Sequence, residues 1–276
     1  MTSKNRQSTN AIDITFNSHG FLLKGKFYVV KEKGPFPTVI LLHGFPGNEK
    51  DVLGLGQRMS EAGINALTFN YSGTYQSEGE FSLENTLRDI MAAYQYIHQQ
   101  KIISKFRIDP TRICLGGVSY GGGMSFTYAA NHREIKSVFS IAGTDHGEFA
   151  REYSRNPSFA QMMDTMFDEL KAPKGPARFG GKEAFKELLD NADRYDLRKS
   201  APSLADRNIL LLGGLDDVNV TIEDHLLPLY RTLRKEGAKN LQFVVYQTDH
   251  SFENVRDELA EDIIKWIKSG QSSSHE

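Results

Sequence analysis

The stretch that decides the fold is residues 112–123, Arg-Ile-Cys-Leu-Gly-Gly-Val-Ser-Tyr-Gly-Gly-Gly. Its apolar beginning predicts a buried strand, and residues 119–130 predict a helix. Between them, Gly117-Val-Ser119-Tyr-Gly121 matches the G-x-S-x-G pattern in the strand–turn–helix context that this pattern requires. Flanking glycines leave room for a strained serine, whose hydroxyl would stand at a helix N-terminus that favours negative charge. The alternative is a glycine-rich turn with a capping serine.

Strand and helix patterns alternate along the rest of the chain. Apolar runs predict strands at 38–42, 64–69, 112–115, 135–142, 208–212 and 241–246, and residues 12–30 predict two more around a turn. Helical patterns lie at 48–62, 83–100, 119–130, 221–235 and 252–268. Asn48 is the expected N-cap of the first helix. Because this alternation is typical of parallel sheets covered on both faces, we expect an α/β fold with a mainly parallel, eight-stranded sheet.

One long stretch interrupts the alternation. Roughly 65 residues between Ala142 and Asn208 carry no strand pattern, whereas ordinary connections in such folds are far shorter. Helical patterns occur within this stretch. We therefore expect residues 144–206 to form an inserted helical cap on a core made of residues 1–143 and 207–276.

Composition limits the class of partner. The 276 residues include 33 Lys and Arg against 35 Asp and Glu, a net charge of −2, so no strong basic field attracts nucleic acid or anionic membrane. No apolar stretch reaches bilayer-spanning length, and the polar start lacks the apolar region of a secretory signal. The single cysteine, Cys114, excludes an intramolecular disulfide and lies in an apolar run typical of a buried residue. We expect a cytoplasmic protein without nucleic-acid or membrane partners.

A nucleophilic serine needs a base and an orienting acid, which follow later strands in the order serine, acid, histidine in this type of sheet. His250 follows the last predicted strand and precedes the last helix. Asp216 and Asp217 follow the preceding strand, and the spacing favours Asp217 because it keeps a valine in the next apolar position. Asp216 stays open as an alternative, and Asp145 is a third candidate.

An oxyanion hole is expected from an early glycine-containing loop. Residues 41–47, Leu-Leu-His-Gly-Phe-Pro-Gly, follow a buried strand, and the backbone N–H of Phe45 is one expected donor. The N–H of Tyr120, directly after the serine, is the second. Among the other histidines, His225 is interpreted as a surface residue. His146 lies at the entrance of the insertion, where a structural role competes with a substrate-facing one.

The insertion contains an apolar helical face. Phe159, Met162, Met163, Met166 and Phe167 recur at the spacing of one helix face. One interpretation is a face packed on the rest of the domain. The other is an adaptable apolar wall over an acyl group, since methionine fills irregular shapes. On the second interpretation, Met162, Met163 and Met166 are candidate substrate-binding residues.

Together these residues resemble the α/β-hydrolase superfamily over essentially the whole chain. The resemblance is carried by His-Gly-Phe at 43–45, the serine motif at 117–121, Asp217 and His250, in that order. Within the superfamily the chain is most similar to cinnamoyl/feruloyl-type carboxylesterases and to the catalytic domain of prolyl-oligopeptidase-like peptidases. It departs from many relatives at Ser72, where they carry arginine.

The resemblance implies acyl transfer to water without a metal or cofactor. Ser119 would attack, His250 would take its proton, Asp217 would orient the imidazole, and Phe45 and Tyr120 would bind the oxyanion. The expected partner is a small-molecule ester with an apolar acyl group. Alternatives are an amidase or peptidase with the same triad, a non-catalytic binding protein, or a cofactor-free haloperoxidase or C–C hydrolase. The oligomeric state stays open, with a homodimer among the options.

Overall fold

One eight-stranded sheet organises the molecule, and the computed structural model describes residues 11–50, 52–179 and 182–270. The strands are β1 (Ala11–Ser18), β2 (Phe21–Tyr28), β3 (Phe36–Leu42), β4 (Asn65–Phe69), β5 (Ile108–Val118), β6 (Ser137–Ile141), β7 (Asn208–Gly214) and β8 (Leu241–Tyr246). Their order is β1-β2-β4-β3-β5-β6-β7-β8. β2 pairs antiparallel with β1 and β4, and the other neighbouring strands are parallel. The predicted mainly parallel, eight-stranded sheet is confirmed.

Helices connect most of the parallel strands. They are α1 (Leu55–Glu61), α2 (Leu83–Ile97), α3 (Gln100–Phe106), α4 (Tyr120–Asn131), α5 (His146–Arg155), α6 (Pro157–Leu170), α7 (Lys182–Asp190), α8 (Leu197–Leu204), α9 (Leu227–Lys235) and α10 (Arg256–Ser269). A π-helical turn, Ile222–Leu226, precedes α9. Within the described ranges, no helix combines the length and apolarity that crossing a bilayer requires.

The two faces of the sheet bury separate apolar cores. On β3, Ile40 and Leu42 pack into the core that also contains residues of α2 and α4. Val39 and Leu41 point to the opposite core, which includes Trp266 of α10. Since neighbouring side chains of a strand point to opposite faces, a strand covered on both sides must be apolar throughout. This explains the uninterrupted apolar runs of the central strands.

The start of the first helix differs from its prediction. α1 begins at Leu55, whereas the sequence pattern predicts a helix over 48–62 with Asn48 as its N-cap. Asn48 instead accepts a hydrogen bond from the backbone N of Lys50 at 2.8 Å, which closes a local turn. The residue before the helix, Gly54, has a left-handed conformation with φ of 70°, so the chain preceding it cannot continue the helix. The predicted cap is therefore wrong.

Helices α5 to α8 lie between β6 and β7, in the stretch where the sequence carries no strand pattern. α8 contacts α4 and α9, and its residues Ala201 and Leu204 are buried in the same core as α4. α8 thus packs with the helices of the core. The division into a core of residues 1–143 and 207–276 and a cap of residues 144–206 stays a prediction.

A buried carboxylate anchors the β4–α2 loop, residues 70–82. The backbone N of Ser72 donates to Asp89 Oδ2, and the Ser72 hydroxyl donates to Oδ1, both at 2.7 Å. The Ser18 hydroxyl donates to Oδ1 at 2.7 Å as well. Burial raises the pKa of Asp89, while these hydrogen bonds act in the opposite direction. Ser72 therefore ties the loop to α2 through Asp89.

Candidate active site

Ser119 lies in a strained turn between β5 and α4. Its φ of 52° and ψ of −118° place it where residues with a side chain are rarely found. The backbone N of Ser119 donates to the Ile141 carbonyl at 2.8 Å, and its carbonyl accepts from Thr144 N at 3.1 Å. Such strain persists only where the surrounding structure imposes it. Here the two hydrogen bonds between Ser119 and the chain at the end of β6 impose the strained conformation.

Glycines provide the space that the turn needs. A Cβ on Gly117 would lie 2.6 Å from the backbone carbon of Gly121, and one on Gly121 would lie 2.5 Å from the His43 carbonyl oxygen. A Cβ on Gly44 would lie 3.3 Å from that of Ser119. The loop that contains Phe45 therefore passes directly beside the serine.

His250 and Asp217 form a hydrogen-bonded pair. The distance from His250 Nδ1 to Asp217 Oδ2 is 2.6 Å. The other carboxylate oxygen, Oδ1, accepts from the backbone N atoms of Asn219 and Val220, each at 2.9 Å. The Asp217 side chain is fully buried, whereas the imidazole is 26% exposed. Because the carboxylate accepts, Nδ1 carries a proton and Nε2 is directed away from the acid.

The other two candidate acids have different partners. Asp216 is exposed and accepts from Gln247 Nε2 at 2.6 Å. Asp145 caps α5 by accepting from Glu148 N at 3.0 Å, and its other oxygen accepts from Leu197 N at 3.2 Å. Burial raises the pKa of Asp145 to about 6. Of the three carboxylates, Asp217 is the one that bonds to His250.

Ser119 and His250 line one cavity of about 520 Å³. Its wall is largely aromatic and aliphatic, and its apolar members are Phe45, Phe81, Leu83, Tyr120, Phe149, Phe159, Met162, Met163, Met166, Phe167, Leu188, Val218 and Val220. All five residues of the predicted apolar face of α6 are among them. Met163 and Phe167 are also buried in the core, whereas Met162 is 58% exposed. The face both packs on the domain and bounds the cavity.

Burial lowers the pKa of two histidines of the cavity wall, His146 and His225. His225, interpreted from the sequence as a surface residue, is half-buried and its Nδ1 accepts from Asp145 N at 3.2 Å. That interpretation is wrong, because His225 packs beside the beginning of α5. His146 is buried, which lowers its pKa to about 3, and its ring lies 5.1 Å from that of Tyr120.

Charged residues of α5 line part of the cavity, and the sequence alone does not single them out. Glu148, Glu152 and Arg155 face the cavity together. Arg155 binds Glu152 at 2.6 Å and Glu148 at 2.9 Å. Their spacing of four and three residues places them on one side of a helix. That spacing was the available signal, but nothing in the sequence indicates which side faces the cavity.

A comparison with known families decides the classification. A model of the prolyl oligopeptidase family matches residues 57–272, most of the chain. The chain belongs to the prolyl oligopeptidase family. The match includes Ser119, Asp217 and His250.

Individual relatives of this prolyl oligopeptidase family member are distant. It is 27% identical over 151 residues to the quorum-quenching protein AidA of Acinetobacter baumannii, which covers 53% of this chain and 48% of AidA. The chain spans about half the length of the first curated relatives that it matches.

Solved structures share the fold. The α/β hydrolase GrgF from a Penicillium species has a TM-score of 0.68 at 15% identity, covering 95% of this chain and 99% of GrgF. Est1E from Butyrivibrio proteoclasticus has a TM-score of 0.69 at 19% identity, covering 96% of this chain and all of Est1E. The predicted α/β-hydrolase fold is confirmed.

The strain at Ser119 predicts an unusual order of stability. In the interior of a helix or strand, a glycine variant is less stable than an alanine variant by about 0.5–1 kcal/mol, because glycine loses more conformational freedom on folding. At this position we expect Ser119→Gly to be more stable than Ser119→Ala by about 1 kcal/mol, since glycine removes the steric strain. Urea denaturation of both variants measures the difference. An alanine variant more stable than the glycine variant would show that the turn is unstrained.

Proposed function

We propose that this protein hydrolyses small-molecule carboxylic esters through a covalent acyl-enzyme on Ser119. The observation that carries the proposal is that Ser119 and the imidazole held by Asp217 line one cavity with a mainly apolar wall. A serine is a weak nucleophile unless a neighbouring base removes its proton. His250 is the base, and the buried carboxylate orients it.

Acylation begins when Ser119 Oγ attacks the ester carbonyl carbon. His250 Nε2 takes the hydroxyl proton as the new C–O bond forms, and the resulting imidazolium is stabilised by the Asp217 carboxylate. Two backbone N–H atoms of Asp217's own loop hold the carboxylate in place while the imidazole charge changes. His250 then gives its proton to the leaving alcohol as the tetrahedral intermediate collapses.

The developing oxyanion is bound by backbone donors. Tyr120 is the first residue of α4, and the N–H groups of a first helical turn lack intrahelical acceptors. Its N–H is one donor, and that of Phe45, on the loop beside Ser119, is the second. Losing one such donor costs about 10²–10³ in kcat. Water attacks the acyl-enzyme in the second half of the cycle, with His250 again taking and returning the proton.

The wall of the cavity favours an apolar acyl group. Met162, Met163 and Met166 come from α6 and line the cavity with aromatic neighbours. Methionine side chains are unbranched and adapt to the shape of a ligand. We therefore assign the acyl chain to this wall. Amide or peptide hydrolysis by the same residues is the second candidate, and the family match favours it.

Parallel turnover of esters and amides tests the proposal. We expect p-nitrophenyl esters of apolar acids to be cleaved with higher kcat/KM than aminoacyl p-nitroanilides, because the cavity wall suits an acyl chain. In Ser119→Ala, ester kcat should fall by on the order of 10⁴–10⁶. Preferential cleavage of anilides would support the peptidase alternative instead. Absence of turnover with every substrate would support a binding protein.

The assignment of the acid has a matched control in the adjacent residue. We expect Asp217→Asn to lower kcat by about 10⁴, because an amide stabilises the wrong imidazole tautomer. Asp216→Asn should retain the wild-type kcat, since Asp216 is exposed and bonds to Gln247. Ester kinetics on both variants, with circular dichroism to verify folding, make the comparison. The reverse ranking would contradict the assignment.

A further inference from the structure

The β4–α2 loop supports the chain that carries Phe45 by two hydrogen bonds. Tyr71 Oη donates to the His43 carbonyl at 2.7 Å. Tyr75 Oη donates to the Pro46 carbonyl at 2.5 Å. These bonds hold the loop of residues 43–47, here called the oxyanion loop, on either side of Phe45. Neither bond involves a reacting group, so both act on position alone.

The β4–α2 loop also contacts both residues of the proposed oxyanion hole through the ring of Phe81. The ring of Phe81 stacks on that of Phe45, with centroids 4.3 Å apart and an angle of 8° between planes. It also lies 5.5 Å from the ring of Tyr120. Aromatic pairs of this kind contribute beyond the area they bury. Phe81 thus links the two residues whose N–H groups would bind the oxyanion.

The insertion in turn binds the β4–α2 loop through the α6–α7 segment, residues 171–179. Arg178 N donates to the Gly73 carbonyl at 2.7 Å, and Phe81 N donates to the Arg178 carbonyl at 2.8 Å. Residues of this segment also form an isolated antiparallel bridge to the loop. Phe81 is therefore fixed by the insertion at its backbone and by the oxyanion loop at its ring.

The guanidinium of Arg178 donates hydrogen bonds to three backbone carbonyls of the β4–α2 loop. Nη1 donates to Tyr75 O and Nε donates to Gly79 O, each at 3.3 Å, and Nη2 donates to Ser77 O. A guanidinium presents its donors in a fixed planar fork, which one ammonium group cannot reproduce. These contacts hold the loop in the curved path that directs Tyr75 to the oxyanion loop.

We propose that Arg178 is a positioning residue for the oxyanion hole, acting through the β4–α2 loop on the chain that carries Phe45. This inference rests on the proposed ester hydrolysis at Ser119. The insertion then has two roles, because α6 bounds the acyl cavity and the α6–α7 segment supports the oxyanion donors. Loss of Arg178 should affect stabilisation of the tetrahedral intermediate more than substrate binding.

The test compares Arg178→Gln with a matched control, Lys174→Gln. Lys174 is a cation of the same segment, and its Nζ pairs with Glu169 at 3.2 Å. With a p-nitrophenyl ester, we expect Arg178→Gln to lower kcat about tenfold, less than the 10²–10³-fold cost of losing a donor outright. KM should change less than about twofold. Affinity for a boronic acid that forms a tetrahedral adduct should fall with kcat, and Lys174→Gln should match the wild type.

Arg178→Lys and Phe81→Leu extend the test. Lysine keeps the charge without the planar fork, so Arg178→Lys should resemble Arg178→Gln. Phe81→Leu removes the stacked ring while leaving Arg178 in place, and it should lower kcat in the same way. This variant therefore still tests the proposal if Arg178→Gln fails to fold. Unchanged kcat and boronate affinity in a folded Arg178→Gln, or a rise in KM alone, would overturn the proposal.

Amide hydrogen exchange provides a readout that does not depend on turnover. Exchange in residues 43–47 should accelerate in Arg178→Gln and not in Lys174→Gln. Equal exchange in the two variants would contradict the proposed support. An inactive wild-type protein would instead contradict the proposed ester hydrolysis, so the two failures are distinguishable.

Discussion

The backbone conformation of Ser119 is the constraint on which the rest of the site depends. A residue held at φ of 52° and ψ of −118° costs about 1–3 kcal/mol of strain. Two kinds of local structure offset that cost. Hydrogen bonds to Ile141 and from Thr144 tie the turn to the end of β6, and Gly117 and Gly121 remove the side chains that would collide. The serine side chain is thereby presented at the edge of a rigid sheet.

The parallel sheet brings the remaining groups to the same edge. β5, β7 and β8 run in one direction, so the residues that follow them meet although they are far apart in sequence. Ser119, Asp217 and His250 each follow one of these strands. The carboxylate is buried and held by two backbone N–H groups, which fixes the imidazole it bonds. Helices α5 and α6, which lie between β6 and β7, complete the cavity wall.

The sequence predicts features that depend on neighbouring residues, but it does not predict contacts between segments that are distant along the chain. The G-x-S-x-G turn was predictable because the clearance it needs depends on neighbouring residues. The preference for Asp217 over Asp216 came from spacing, and the hydrogen bond to His250 agrees with it. The packing of His225 does not follow from the sequence, because its partner, Asp145, lies 80 residues away in the chain.

Arg178 shows a different limit of sequence reasoning. Its partners are backbone carbonyls, which every residue possesses, so no pattern of side chains reveals the contact. The start of α1 is hard to predict for a local reason, since an asparagine closes a turn as readily as it caps a helix.

The central claim is that Ser119 is a nucleophile activated by His250. Labelling of the folded protein with a fluorophosphonate, followed by peptide mass spectrometry, tests it most directly. We expect one adduct per chain, on the peptide that contains Ser119. No adduct, or an adduct on another serine, would contradict the claim.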